Sequence, residues 1–130
     1  AETARGELPA ALAALDFPVD IVTAYVTRRA HPVAMGALVD ELLAGHIDAI
    51  TLTSGSTASS LLDALVDAVG EVRAREALAR AALVSIGPRT TATAESIGLR
   101  VDATASEHTT GGLVAALRAH FALRDRPPAN

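Results

Sequence analysis

The sequence predicts a three-layer α/β domain, a parallel sheet covered by helices on both faces. Three observations carry that expectation. Short runs of β-branched or apolar residues alternate with segments whose apolar positions recur at three- and four-residue spacing. Most of the short runs stop in small hydroxyl or glycine residues, the composition of a turn leading into a helix cap. Half of the 130 residues are apolar, which suffices for one packed core.

Taken in order, residues 7–15 read as a short helix with Leu8, Leu12 and Leu15 on one stripe. Residues 19–26 are short and rich in β-branched side chains, hence a strand. Residues 34–44 place apolar side chains at 35, 38, 39, 42 and 43, which is helical spacing, and Gly45 stands where a helix ends in the C′ role. A strand over 47–52 follows, then a helix from Ser56 or Thr57 to residue 69. Residues 71–80 offer Glu71–Arg75 and Glu76–Arg80 at i,i+4, the pattern of a solvated helix. A strand over 82–86 breaks at Gly87-Pro88. Proline is tolerated at the first helical position, so a helix starts there and closes at Gly98. A short strand over 99–103 precedes a last helix, capped by Thr109 or Thr110 and bearing Leu113, Val114, Leu117 and Phe121. Residues 124–130 are charged and proline-rich, like a linker or frayed end, which leaves 1–123 for the lobe.

This alternation fits a flavodoxin-like unit, whose strand order is 2-1-3-4-5. Such a unit has a strand before its first helix, and none is visible here. The missing strand is expected upstream of Ala1, as the central strand of the sheet, and the chain reads as a piece of a longer one.

Composition removes several function classes. Net charge is −4, and all 11 basic residues are arginines, scattered except for Arg28-Arg29. With two phenylalanines and one tyrosine there is no platform for stacking bases and no stripe for tracking phosphates, so direct nucleic-acid binding is not expected. The absence of cysteine excludes disulfides, thiolate metal sites and a cysteine nucleophile. No apolar stretch reaches the ~20 residues of a membrane span, and nothing near Ala1 resembles a signal peptide. An unstapled domain of this kind fits a cytoplasmic setting.

In open α/β sheets, ligands bind beyond the carboxyl ends of the strands. Those ends here are Tyr25-Val26-Thr27, then Thr53-Ser54-Gly55-Ser56-Thr57, then Gly87-Pro88-Arg89-Thr90-Thr91, and last residues 104–110. Helix starts present unpaired N–H groups and a positive dipole end, which suit carboxylates or phosphates. Any one of these loops is adequately explained as a cap. Three on one edge, with the only tyrosine, point to a site. Other chemistries find no support. His31, His46, His108 and His120 lack metal-ligand spacing. Ser54 has no Gly-x-Ser-x-Gly elbow. Without lysine there is no Walker A motif, and Gly-x-Gly-x-x-Gly is absent. Arg28-Arg29 is read as solvated surface rather than an anion grip.

The stretch SIGPRTTATAESIGLRVDATASEHTTGGLVAAL, residues 85–117, resembles the end of uroporphyrinogen-III synthase. That family has an Ile-Gly-Pro-x-Thr turn, a helix closing in Gly-Leu, and a Thr-x-x-Gly-Leu start to its last helix. ITLTSGSTASSLL, residues 50–62, is similar to its Thr-Ser strand-to-helix turn, and VTAYVT, residues 22–27, to its strand ending in Tyr-x-Thr. The likeness runs through nearly the whole chain in order.

The resemblance implies a bilobed enzyme of two flavodoxin-like halves, of which this chain matches the second. It implies conversion of hydroxymethylbilane to uroporphyrinogen III by loss of the hydroxyl, ring closure and inversion of ring D, with no metal and no cofactor. The partners are then that substrate, that product and a first lobe, and the segment alone is expected to be inactive. Tyr25 matches the family tyrosine that assists departure of the hydroxyl, and a phenol O–H can donate to it. Thr27, Thr53, Ser54, Gly55, Ser56, Gly87, Thr90 and Thr91 are the expected substrate-binding positions, holding carboxylates through backbone N–H groups and hydroxyls. An alternative stays open: a tetrapyrrole-sensing domain fused to a winged-helix domain, reached through Arg126-Pro127-Pro128, which alone would bring in nucleic acid.

Overall fold

The computed structural model of the chain describes residues 6–25 and 31–124. Within them, Ala49–Leu52 (β1), Ala82–Ser85 (β2) and Ala103–Thr104 (β3) pair in the order β1-β2-β3, all parallel. Leu52 lies beside Ser85, and Ser85 in turn beside Thr104, so the three carboxyl ends are level. β2 is buried at all four positions, as a strand covered on both faces must be.

Six helices complete the described chain: Glu7–Ala13 (α1), Pro32–Leu43 (α2), Gly55–Val69 (α3), Glu71–Leu78 (α4), Pro88–Ser96 (α5) and Thr110–Arg124 (α6). Alternation along β2 separates two cores. Leu83 joins Leu42, Leu52, Leu65 and Ala94 in the cluster formed with α2, α3, α4 and α5. Ala82 and Val84 take the other face, where α6 packs on β2 and β3 and buries Leu113. Leu42, Leu52 and Leu65 are fully buried, and each such side chain contributes about 1.5–3 kcal/mol. This is the expected three-layer α/β architecture.

Local signals placed most boundaries well. Gly45 adopts φ 74°, the left-handed conformation that ends α2 at low cost for glycine alone. Pro88 opens α5 at its first turn. Thr109 caps α6, its Oγ1 accepting the N–H of Gly112 at 3.0 Å. Glu71 and Arg75 pair at 3.0 Å. The expected Glu76–Arg80 pair is not formed among the described residues, because α4 ends at Leu78 and the turn beyond it removes the i,i+4 spacing.

Two strands differ from expectation. Residues 19–25 form neither strand nor helix, and Ile21, Val22 and Tyr25 are exposed. β-branched composition fits a strand only where a neighbour supplies the ladder, and no described strand lies beside this segment. α1 likewise forms but buries no residue. β1 pairs on its β2 side, and its other edge carries no described strand, so the sheet matches the 3-4-5 part of the 2-1-3-4-5 order. The last strand is shorter than 99–103. The Asp102 carboxylate accepts the Leu83 N–H at 2.9 Å where a ladder carbonyl would otherwise sit, so pairing starts only at Ala103. Residues 26–30, with Thr27 and Arg28-Arg29, and the tail at 125–130 lie outside the described residues.

Candidate functional site at the carboxyl edge

A parallel sheet with short crossovers brings the starts of its following helices to one edge, and β1, β2 and β3 are followed by α3, α5 and α6. Three helix N-termini therefore converge beyond Leu52, Ser85 and Thr104. Their leading amides lie outside the helical ladder, and their dipoles point positive ends outward.

At α3 the chain leaves β1 through Thr53 and turns at Ser54, whose extended backbone (φ −160°, ψ 160°) is that of an N-cap. Ser54 Oγ accepts the Thr57 N–H at 3.1 Å and lies 2.7 Å from Thr57 Oγ1 and 3.0 Å from Ser56 Oγ. The cap takes up the Thr57 and Ala58 amides, and those of Gly55 and Ser56 have no hydrogen-bond partner among the described residues. Thr53 and Ser56 are exposed, and Ser54 and Gly55 half-buried. Ser54→Ala is expected to cost about 1 kcal/mol, the usual worth of an N-cap, measured as a lowered midpoint in urea. A midpoint equal to that of the parent chain would mean that the hydroxyl cluster, and not the cap, is the role of Ser54.

The second helix start is built on a buried hydroxyl. Ser85, fully buried at the end of β2, holds its Oγ 2.5 Å from Thr91 Oγ1 and donates to the Gly87 carbonyl at 3.3 Å. Thr91 Oγ1 lies 2.7 Å from Thr104 Oγ1, so the end of β2, the first turn of α5 and the end of β3 share one network. Each member has a partner, which makes the network rigid rather than costly. Gly87 accepts from the Thr90 and Thr91 amides at 3.0 and 3.1 Å.

The structure thus places the expected residues unequally. Thr53, Ser54, Gly55, Ser56 and Thr91 gather at the helix starts. Thr90 is buried, its side chain turned into the fold. Gly87 is also buried, and a Cβ built on it would sit 2.8 Å from Cδ2 of His108, so the imidazole covers that face of the turn. Tyr25 is exposed in the segment 19–25, outside any strand or helix. Ser85 was not among the expected positions, and Thr104 and His108 were expected only as part of the sheet-edge loop 104–110, with no role of their own. A serine closing a buried strand six residues before a threonine is a faint signal, and the pairing with Thr104 appears only once β3 lies beside β2. Nothing local marks His108 as the cover of Gly87.

Chemically, the edge can hold anionic groups on backbone N–H groups and hydroxyls. Among the described residues no group of three or more His, Asp or Glu is arranged to hold a metal ion, and no helix is long and apolar enough to cross a membrane. The family model described as uroporphyrinogen-III synthase HemD matches residues 1–115. No curated protein matches the chain.

Proposed function

Because the chain belongs to the uroporphyrinogen-III synthase family, which serves tetrapyrrole biosynthesis, we propose that it is one lobe of a synthase that closes hydroxymethylbilane to uroporphyrinogen III. The observation that supports the reading best is the convergence of three helix starts and their hydroxyls on one sheet edge. The substrate is a chain of pyrroles carrying carboxylates, and such an edge grips carboxylates without needing lysine or a metal.

The reaction removes the terminal hydroxyl as water, closes the ring and inverts ring D. Its difficulty is geometric, since the linear substrate closes by itself to the symmetrical isomer. Holding several carboxylates at fixed positions limits the conformations from which closure occurs. Thr53, Ser54, Gly55, Ser56 and Thr91 form the described part of that grip; Thr90 and Gly87 support the second helix start from beneath. Thr27 belongs to the same proposal on its family match alone. Tyr25 donates its phenol proton to the departing hydroxyl, and the exposed segment that carries it faces a second lobe across the cleft. A cytoplasmic setting goes with this reading.

Isomer-resolved analysis of products from hydroxymethylbilane tests it. A protein carrying both lobes is expected to form mainly isomer III, whereas this chain alone leaves only the spontaneous isomer I. Isomer I alone from the two-lobe protein would overturn the function, and isomer III from this chain alone would overturn the shared site. In the two-lobe protein, Tyr25→Phe is expected to lower kcat about a hundredfold with KM little changed, because it deletes a donor used as the bond breaks. Unchanged kcat would remove Tyr25 from the mechanism.

A further inference from the structure

His108 stands at the carboxyl edge on the loop between β3 and α6, and both ends of that loop are anchored. At one end the Ala105 amide donates to the Ser85 carbonyl at 2.8 Å, tying the loop to the end of β2. At the other, the Thr109 amide donates to the Glu107 carbonyl at 2.8 Å while its Oγ1 caps α6 at Gly112. The His108 ring lies over Gly87, where an added Cβ would meet its Cδ2 at 2.8 Å, Nε2 at 3.0 Å and Cγ at 3.3 Å. Gly87 itself is extended (φ 175°, ψ 171°), so no left-handed turn demands glycine there. The bare position is what seats the ring.

A cover for Gly87 needs no nitrogen, and a leucine would serve. The imidazole offers more. Cγ, Cδ2 and Nε2 form the seated edge of the ring, which leaves Nδ1 on the farther one. Neither ring nitrogen has a hydrogen-bond partner among the described residues. His108 is exposed, so water or a ligand reaches it. Just beyond it, the Thr110 and Gly111 amides at the start of α6 are also without partners among the described residues. The ring therefore stands between the starts of α5 and α6 with a donor to spare, on the edge that suits carboxylates.

We propose that His108 is a substrate-binding residue of the ring-closing reaction, donating a ring N–H to one carboxylate side chain of hydroxymethylbilane, and that Gly87 is kept bare to seat its ring. The inference rests on the synthase reading given above. The carboxylate selects the tautomer with its proton on Nδ1, the nitrogen away from Gly87. It accepts from the imidazole and from the leading amides of α6 together, which fixes its direction as well as its place. His108 takes no proton during bond breaking. Its contact is the same in the ground state and the transition state, so it acts on affinity and not on turnover.

Steady-state kinetics with hydroxymethylbilane in the two-lobe protein, with products resolved by isomer, test the proposal. KM does not depend on the fraction of protein that folds, so partial unfolding cannot imitate the effect. His108→Leu keeps Gly87 covered but removes the donor, and should raise KM about tenfold with kcat within about twofold of the parent. His108→Gln restores a side-chain N–H and should keep KM within about threefold of the parent. Gly87→Ala pushes the ring aside and should raise KM about fivefold, yet add little in a His108→Ala background, where no ring is left to move. His46→Gln is the control, since His46 precedes β1 at the other end of the sheet and pairs with Glu41 at 2.9 Å; its KM should equal the parent's. His108→Leu with the parent's KM overturns the proposal, as does a loss in kcat alone or strict additivity of Gly87→Ala with His108→Ala. Isomer I alone from the unaltered two-lobe protein is a different failure: it removes the synthase reading, and this inference with it.

Discussion

Gly112→Ala is expected to destabilise the chain by about 3 kcal/mol, the upper end of overpacking costs, and to lower its melting temperature by roughly 10 °C. A Cβ at Gly112 would stand 2.1 Å from the backbone oxygen of Glu107 and 2.9 Å from its carbonyl carbon. Even a close C–H···O contact keeps about 3.3 Å, so the backbone itself would have to retreat by roughly 1 Å. No rotamer change provides that. The retreat would also pull on the Thr109 cap, whose Oγ1 holds the Gly112 amide at 3.0 Å. The neighbouring Gly111→Ala is the control: its nearest obstacle is Thr109 Oγ1 at 3.7 Å, an ordinary contact. Alanine there should be neutral or stabilising by up to about 0.5 kcal/mol, since it restricts the unfolded chain. Thermal melts of the two variants decide the matter. Gly112→Ala melting with the parent would show that residues 105–110 are held far less tightly against α6 than the contact distances imply.

Gly55→Ala should cost about 2 kcal/mol for a related reason. Its Cβ would lie 2.6 Å from Oγ1, 2.8 Å from Cβ and 2.9 Å from Cγ2 of Thr93 on α5. Rotating Thr93 does not relieve the clash, because its Cβ is fixed to the helix, and rotation also breaks its 3.0 Å bond to the Arg89 carbonyl. α3 and α5 would have to part, and these are two of the helices that present the carboxyl edge. A double-mutant cycle separates this clash from any generic effect of alanine. Gly55→Ala combined with Thr93→Gly should lose less stability than the two single losses added together, with an interaction of at least about 1 kcal/mol. Strict additivity would mean that the two helices are not in contact as described. In a two-lobe protein the same Gly55→Ala variant should lose isomer III formation in step with this displacement.

Both glycines matter for tertiary reasons, which no local pattern in the sequence carries. The turn at Ser54, the proline opening α5 and the threonine capping α6 were legible because each is settled within three or four residues. A cap side chain bonds the amide three positions on, and a helical stripe repeats every turn. Boundaries erred where a local pattern needed a distant partner. Residues 19–25 have strand composition, yet no described strand stands beside them. The strand expected over 99–103 lost its first part to the Asp102 carboxylate, which took over the Leu83 N–H.

The site divides along the same line. That hydroxyls and glycines cluster where strands end and helices begin could be read directly, as could the suitability of such ends for carboxylates. Which of them stand open could not. Thr90 and Thr91 are adjacent in sequence, but the first is buried and the second joins Ser85 and Thr104 in one network. Gly87 reads as a bare turn, and His108, twenty-one positions later, lies over it. By itself the sequence determined the alternation of elements, most of the helices with their caps, and the chemical character of the carboxyl edge. Only the tertiary structure decided the sheet neighbours, the buried hydroxyl network, and the close approaches at Gly55, Gly87 and Gly112. The reason is range: capping and periodicity are energies between near neighbours in the chain, whereas strand pairing and interhelical contact are energies between segments whose meeting is set by the whole core.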